Sequence, residues 1–159
     1  MTPFFDLLRA RYPEWASLPL ENRDSPDWTS WGLVVPPPPG SDLAGPLDID
    51  EIGDEITISL DLTHMHFDDI DRSTGGLWGD PVLFLEAVLQ ERIVATTGFL
   101  RGRMKFGSLI RLGKEPEMYD WNVDHVRGRT WRGTHDWDDV KTDGVWKRSE
   151  ARIPLPPSQ

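Results

Sequence analysis

His64 and His66 are separated by one residue and followed closely by Asp68, Asp69 and Asp71, side chains able to bind a metal, move a proton or carry a charged contact. Two imidazoles at i and i+2 on one face of a β-strand stand about 7 Å apart. With Asp68 as a third ligand, that spacing suits a metal site and hence a metal-dependent hydrolase. His135, in the run His135-Asp136-Trp137-Asp138-Asp139, is then a candidate base with carboxylates beside it. The bland alternatives are two histidines hydrogen-bonded at a sheet edge and a solvated turn around His135, since adjacent turn residues rarely converge on one point. The chain has no cysteine, which removes disulfides, zinc ribbons and thiol catalysis together.

The same acids fit a second use, as a contact surface. Trp78 lies in a loop containing Gly75, Gly76 and Gly79 beside the acidic run. An exposed aromatic flanked by carboxylates is the composition of a protein-binding hot spot. The net charge of −10 is unevenly spread: Asp42 to Glu91 holds 13 acidic residues and one basic residue, Arg72, whereas Arg92 to Lys114 holds six basic residues and no acid. Such an acidic half disfavours a nucleic-acid backbone and favours a cationic protein through electrostatic steering. A solvated charged surface is the bland counterpart, and Glu86 with Glu91 reads as ordinary helix surface. The glycine cluster has neither the GxGxxG spacing nor the GK[ST] ending of a phosphate-binding loop.

These residues need elements to hold them. Glu55 to Phe67 alternates Ile56, Ile58, Leu60, Leu62, His64, His66 with Thr57, Ser59, Asp61, Thr63, the period of one half-buried strand. Carried to its end, that period puts both histidines on the aliphatic face. Asp80-Pro81 is a helix start, and the apolar stripe Val82, Leu85, Val88, Leu89, Ile93 predicts a long amphipathic helix across one face of a sheet. Thr2-Pro3 starts a short N-terminal helix that Pro13 ends. Ser30 to Val35 reads as a strand, Pro36 to Pro39 as a stiff connector, and Leu47 to Ile49 as a brief strand before a turn at Gly53-Asp54. Val94 to Leu112 forms a hairpin around Arg101-Gly102-Arg103, its basic side chains displayed at the turn. Residues 13–29 are irregular, with Trp15 and Trp28 packed as anchors. The last third is rich in tryptophan, with strands at Val123 to Trp131 and Gly144 to Arg148 and a turn at Gly133 to Asp136. The proline-rich tail from Ile153 is a strap.

A chain of 159 residues is the size of a single domain, 1–159. With 38% hydrophobic and 28% charged residues it is neither a disordered polyelectrolyte nor a membrane protein. The longest apolar runs fall far short of the roughly 20 residues that span a bilayer. Acidic Asp6 stands where a secretory leader carries a basic start, which points to a cytoplasmic protein. The order of elements predicts an α+β fold. Its core is a mainly antiparallel sheet of about five to seven strands, with one long amphipathic helix packed on one face and a short N-terminal helix.

The strand EITISLDLTHMHFDD, the Gly/Trp loop, the Asp-Pro-started helix VLFLEAVLQERIVA and the G-x-x-x-G-x-x-x-F-G-S hairpin together resemble small bacterial immunity proteins encoded beside polymorphic toxins. The resemblance covers roughly Ile56 to Ile110. It implies a non-catalytic, cofactor-free cytoplasmic protein that binds one cognate toxin and occludes its active site. On that reading a basic toxin surface docks on His64, His66, Asp68, Asp69, Asp71 and Trp78, with no nucleic acid or membrane as partner. Homodimerisation through an exposed strand edge stays open. A third reading, an adaptor recognised through its PxxP segments, rests on the prolines alone.

Overall fold

The computed structural model describes residues 2–68, 76–114 and 122–150. Within them the helices are α1 (Pro3–Arg11), α2 (Gly76–Gly79) and α3 (Pro81–Leu89), with a 3₁₀ turn at Pro13–Trp15. The strands are β1 (Leu20–Asn22), β2 (Ser30–Val35), β3 (Leu47–Ile52), β4 (Glu55–Leu60), β5 (Thr63–Phe67), β6 (Ile93–Leu100), β7 (Arg103–Arg111), β8 (His125–Arg129), β9 (Trp137–Thr142) and β10 (Val145–Glu150). They form two antiparallel five-stranded sheets, ordered β1-β2-β3-β4-β5 and β10-β9-β8-β6-β7.

This overturns the expected single sheet under one long helix: 46% of the described residues are in strands, and α1 and α3 have nine residues each. Helix α3 starts as expected, with the Asp80 carboxylate accepting from the Val82 and Leu83 amides at 2.8 and 3.3 Å. It stops early because Glu91 turns left-handed at φ 55. There the Glu91 N–H donates to the Val88 carbonyl and the Arg92 N–H to the Ala87 carbonyl, the double closure of a Schellman end. Glycine usually takes that position, so no residue type announced the stop, and Ile93 begins β6 instead of a further helical turn.

The predicted long strand is a hairpin. Leu60 pairs with Thr63, leaving Asp61 and Leu62 as a two-residue turn, with Asp61 at φ 57. Paired residues face the same side, so the buried set changes from even to odd numbers. Ile56, Ile58 and Leu60 are buried on β4, and Thr63 and Phe67 on β5. His64 and His66 therefore leave the aliphatic face and are exposed.

One large cluster joins the inner side chains of both sheets, among them Leu33, Ile49, Ile58, Leu60, Ile93 and Ala95, to Phe5 and Leu8 of α1 and Phe84, Leu85 and Val88 of α3. Burying each large apolar side chain contributes about 1.5 to 3 kcal/mol relative to leaving it in water. Polar ties also cross between the sheets. The Arg127 guanidinium on β8 donates to Asp61 Oδ2 at 2.6 Å, and Arg129 Nε donates to Asp42 in the β2–β3 connector at 3.1 Å. A smaller cluster of Phe106, Val123 and Val126 lies on the other face of the second sheet, with Trp137 and Trp146 against it. Gly128 admits the Trp137 ring, which a Cβ there would meet at 2.3 Å.

Other expectations change as well. Residues 20–22 form a strand within the segment read as irregular, Gly76 to Gly79 form a helical turn, and β9 occupies most of the Asp-rich run read as a solvated turn. Trp15 is buried as expected, at 4% exposure, but Trp28 is 52% exposed. Helix α1, strand β2 and the β6–β7 hairpin stand where the sequence placed them, with Arg101 at φ 51 and Gly102 at φ 74 in its turn. The tail from Ile153, Arg72, Gly75, Tyr119 and Trp121 lie outside the described residues.

Candidate functional site: the outer face of the first sheet

The register of β1 to β5 sets the site. One row across the outer face runs Glu21, Gly32, Asp50, Thr57, His66, and the next carries Asp48, Ser59 and His64. Asp48 and Asp50 alternate with buried Leu47 and Ile49, and this LDIDE alternation was the sequence signal for their face. Arg23, just beyond β1, crosses the face over Gly32. Its Nη1 donates to both Asp48 oxygens at 3.0 Å and to Asp50 Oδ1 at 2.6 Å, and its Nη2 donates to Glu21 Oε2 at 2.6 Å. Burial opposes the Arg23 charge, but the bonds to Glu21, Asp50 and Asp48 outweigh it and hold the guanidinium above its ordinary pKa. Burial raises the Asp48 carboxyl, and the Arg23 bond offsets this only in part.

At the β5 edge, the His64 and His66 rings meet edge-to-face with centroids 4.8 Å apart. His66 Nδ1 lies 2.6 Å from Glu55 Oε1 and 2.9 Å from Thr57 Oγ1, and Thr57 Oγ1 donates to the same Glu55 oxygen at 2.9 Å. Contact with His66, then with Thr57, holds the Glu55 carboxyl below its ordinary range, with a smaller contribution from Asp68 alongside. Glu55 was thus the unrecognised partner of His66. Among the described residues the face presents five carboxylates, of Glu21, Asp48, Asp50, Glu55 and Asp68, and one guanidinium that is spent on three of them.

The structure brings together only part of the expected set. Asp68 is exposed at the end of β5, while Asp69 and Asp71 lie outside the described residues. Trp78 is half-buried on α2, packed against Phe84 with ring centroids 5.7 Å apart, so its ring supports the core and is not a free contact. Among the described residues no group of three or more His, Asp or Glu side chains is placed to hold a metal ion. His135 stands on the β8–β9 loop, where it lines an open cleft of about 260 Å³ with Lys114, Asp136, Trp137 and Glu150. His64 and His66 are not in that lining, so the three histidines of the hydrolase reading do not meet.

Two further carboxylates missed in the sequence are structural. Glu91, read as solvated helix surface, is 8% exposed, and its Oε1 accepts from Thr130 Oγ1 at 2.8 Å and from the Arg132 and Thr134 amides at 3.0 and 3.1 Å. Asp138 links His125 Nε2 at 2.7 Å to Arg129 Nη2 at 3.0 Å. The paired helix carboxylate is Glu86, which accepts from Arg11 at 3.0 Å.

Comparison of the chain with protein-family models, with curated proteins and with solved structures gave no match.

Proposed function

We propose that the chain is an immunity-type protein that binds a cationic toxin domain on the outer face of its first sheet and blocks it. The observation that carries this reading is the charge arrangement there: among the described residues, five carboxylates share the face with one guanidinium, which makes its bonds to Glu21, Asp48 and Asp50. Between Arg23 and Arg72 the sequence has no lysine or arginine, so strands β2 to β5 contribute no fixed positive charge. A broad acidic surface without converging ligands suits docking, where complementary potentials speed encounter and set register.

The test is surface plasmon resonance against the toxin domain encoded by the adjacent reading frame, with growth rescue of cells expressing it as a second readout. Glu55→Lys with Asp68→Lys reverses charge at half-buried Glu55 and exposed Asp68. It is expected to slow association, abolish rescue and leave the melting temperature within a few degrees of wild type. Wild-type association falls with added salt, since the Debye length is about 8 Å at physiological ionic strength. A charge-reversed protein that binds and protects like the parent would refute the proposal.

A further inference from the structure

Resting on that reading of the acidic face, we infer that Trp28, in the β1–β2 loop, is the aromatic anchor of the surface and receives an arginine or lysine side chain of the cationic partner. Trp28 is 52% exposed, although burying an indole is among the larger apolar gains open to a chain. Its exposure is not that of a loose loop. The Ser25 N–H donates to the Trp28 carbonyl at 2.9 Å, and the Arg23 N–H to the Ser30 carbonyl at 2.8 Å. The Ser30 N–H donates to Asp24 Oδ1 at 2.7 Å, and the Asp27 N–H to Ser25 Oγ at 3.3 Å. A closed loop therefore holds the ring out in water, and a pre-ordered aromatic loses little entropy on contact.

The chemistry around the ring selects the occupant. Asp24 and Asp27 belong to the same loop, and Asp54 follows Gly53, whose N–H donates to the Thr29 carbonyl at 3.4 Å. Ser30, Ile52 and Glu55 are paired side by side across β2, β3 and β4. The loop thus rises at the end of the sheet that carries Glu55, His66 and Asp68. An exposed indole on a loop that also carries Asp24 and Asp27 attracts a cation by its quadrupole and by the loop's charge together, and repels an acidic segment. The partner group is therefore a guanidinium or ammonium on a protein.

The probe is an oligoarginine peptide, followed by calorimetry and tryptophan fluorescence at low salt. Wild type is expected to bind with a change in indole emission, Trp28→Ala about tenfold more weakly, and Trp28→Phe in between. Trp28→Leu, apolar without a π face, is expected to bind like the alanine variant. All three should melt within a few degrees of wild type, because Trp28 is 52% exposed and belongs to neither core cluster. Should wild type fail to bind the peptide, or Trp28→Ala bind it equally well, the inference falls. The charge-reversed Glu55→Lys, Asp68→Lys protein separates the two proposals. If it loses toxin binding while Trp28→Ala retains it, the anchor is wrong and the acidic face stands; the converse result removes the acidic face and keeps the anchor.

Discussion

The Arg23 guanidinium lies against the bare backbone of Gly32, where a Cβ would stand 2.4 Å from its Cζ. Gly32 is on a central strand of the first sheet, and the missing side chain lets one arginine reach acids on three positions of the face. Gly32→Ala should displace the flexible guanidinium, not the strand, and cost about 1 to 2 kcal/mol through the lost charged hydrogen bonds. In an Arg23→Met background the same substitution should cost almost nothing, since its effect runs through that side chain. Urea unfolding of the four proteins of this cycle measures the coupling.

Asp61 combines a left-handed backbone with a fully buried carboxylate that accepts from Arg127 and, at 2.7 Å, from the Ala44 amide. Asp61→Ala strains the turn and strands the Arg127 charge, so a loss of about 3 to 5 kcal/mol is expected. Asp61→Asn keeps an acceptor and tolerates the positive φ, and should lose distinctly less. Equal losses in chemical denaturation would show that the charge alone carries the contribution, and that the acceptor and the fit to the turn add nothing.

The two faces of β4 and the two tryptophans should separate in stability. Leu60→Ala, at 0% exposure, should cost about 2 to 5 kcal/mol, whereas Ser59→Ala on the outer face should cost under about 0.5. Trp78→Ala, which removes the ring packed on Phe84, is expected to lower the melting temperature clearly, and Trp28→Ala to leave it unchanged.

Asp136 and Glu91 both close on Thr130 and respond oppositely to pH. Burial raises Asp136 above 3.8, so the folded state holds its proton longer, and its contribution to stability falls as pH rises from about 3.8 through the folded value. Burial pushes Glu91 the same way, but the bonds from Thr134, Thr130 and Arg132 outweigh it and bring the group below 4.5. Its contribution is present above 4.5 and lost as pH falls through the folded value. Glu91→Gln should therefore cost about 1 to 2 kcal/mol at neutral pH and progressively less in acid. Asp136→Asn should lose the least, or gain, at neutral pH. Urea midpoints across an acid-to-neutral series check both slopes.

What the sequence revealed divides along the range of the forces involved. The Asp80 cap, the Pro3 start and the Arg101-Gly102 turn are local devices and were legible. The turn at Asp61-Leu62 was not, because leucine continues the alternation and the left-handed aspartate is held by Arg127 and Ala44 from distant parts of the chain. Strand β9 was hidden for the same reason. Its Asp138 and Asp139 read as solvent-seeking, yet they are satisfied by Arg129 and His125 and by Arg148, whose Nη2 donates to Asp139 at 2.8 Å. The acidic character of the site was visible in composition. Which acids share a face depends on a register that begins with a three-residue strand, β1, too short to leave a periodic trace.

The Glu91 carboxylate reaches across 41 and 43 positions of sequence to the Arg132 and Thr134 amides, which belong to a loop and not to either sheet. Those two amide hydrogens should exchange with deuterated solvent far more slowly than loop protons usually do, an island of protection outside any ladder. It should vanish in Glu91→Ala while the strands keep theirs, so this loop opens with the end of α3 as one unit and not as part of the sheet beside it.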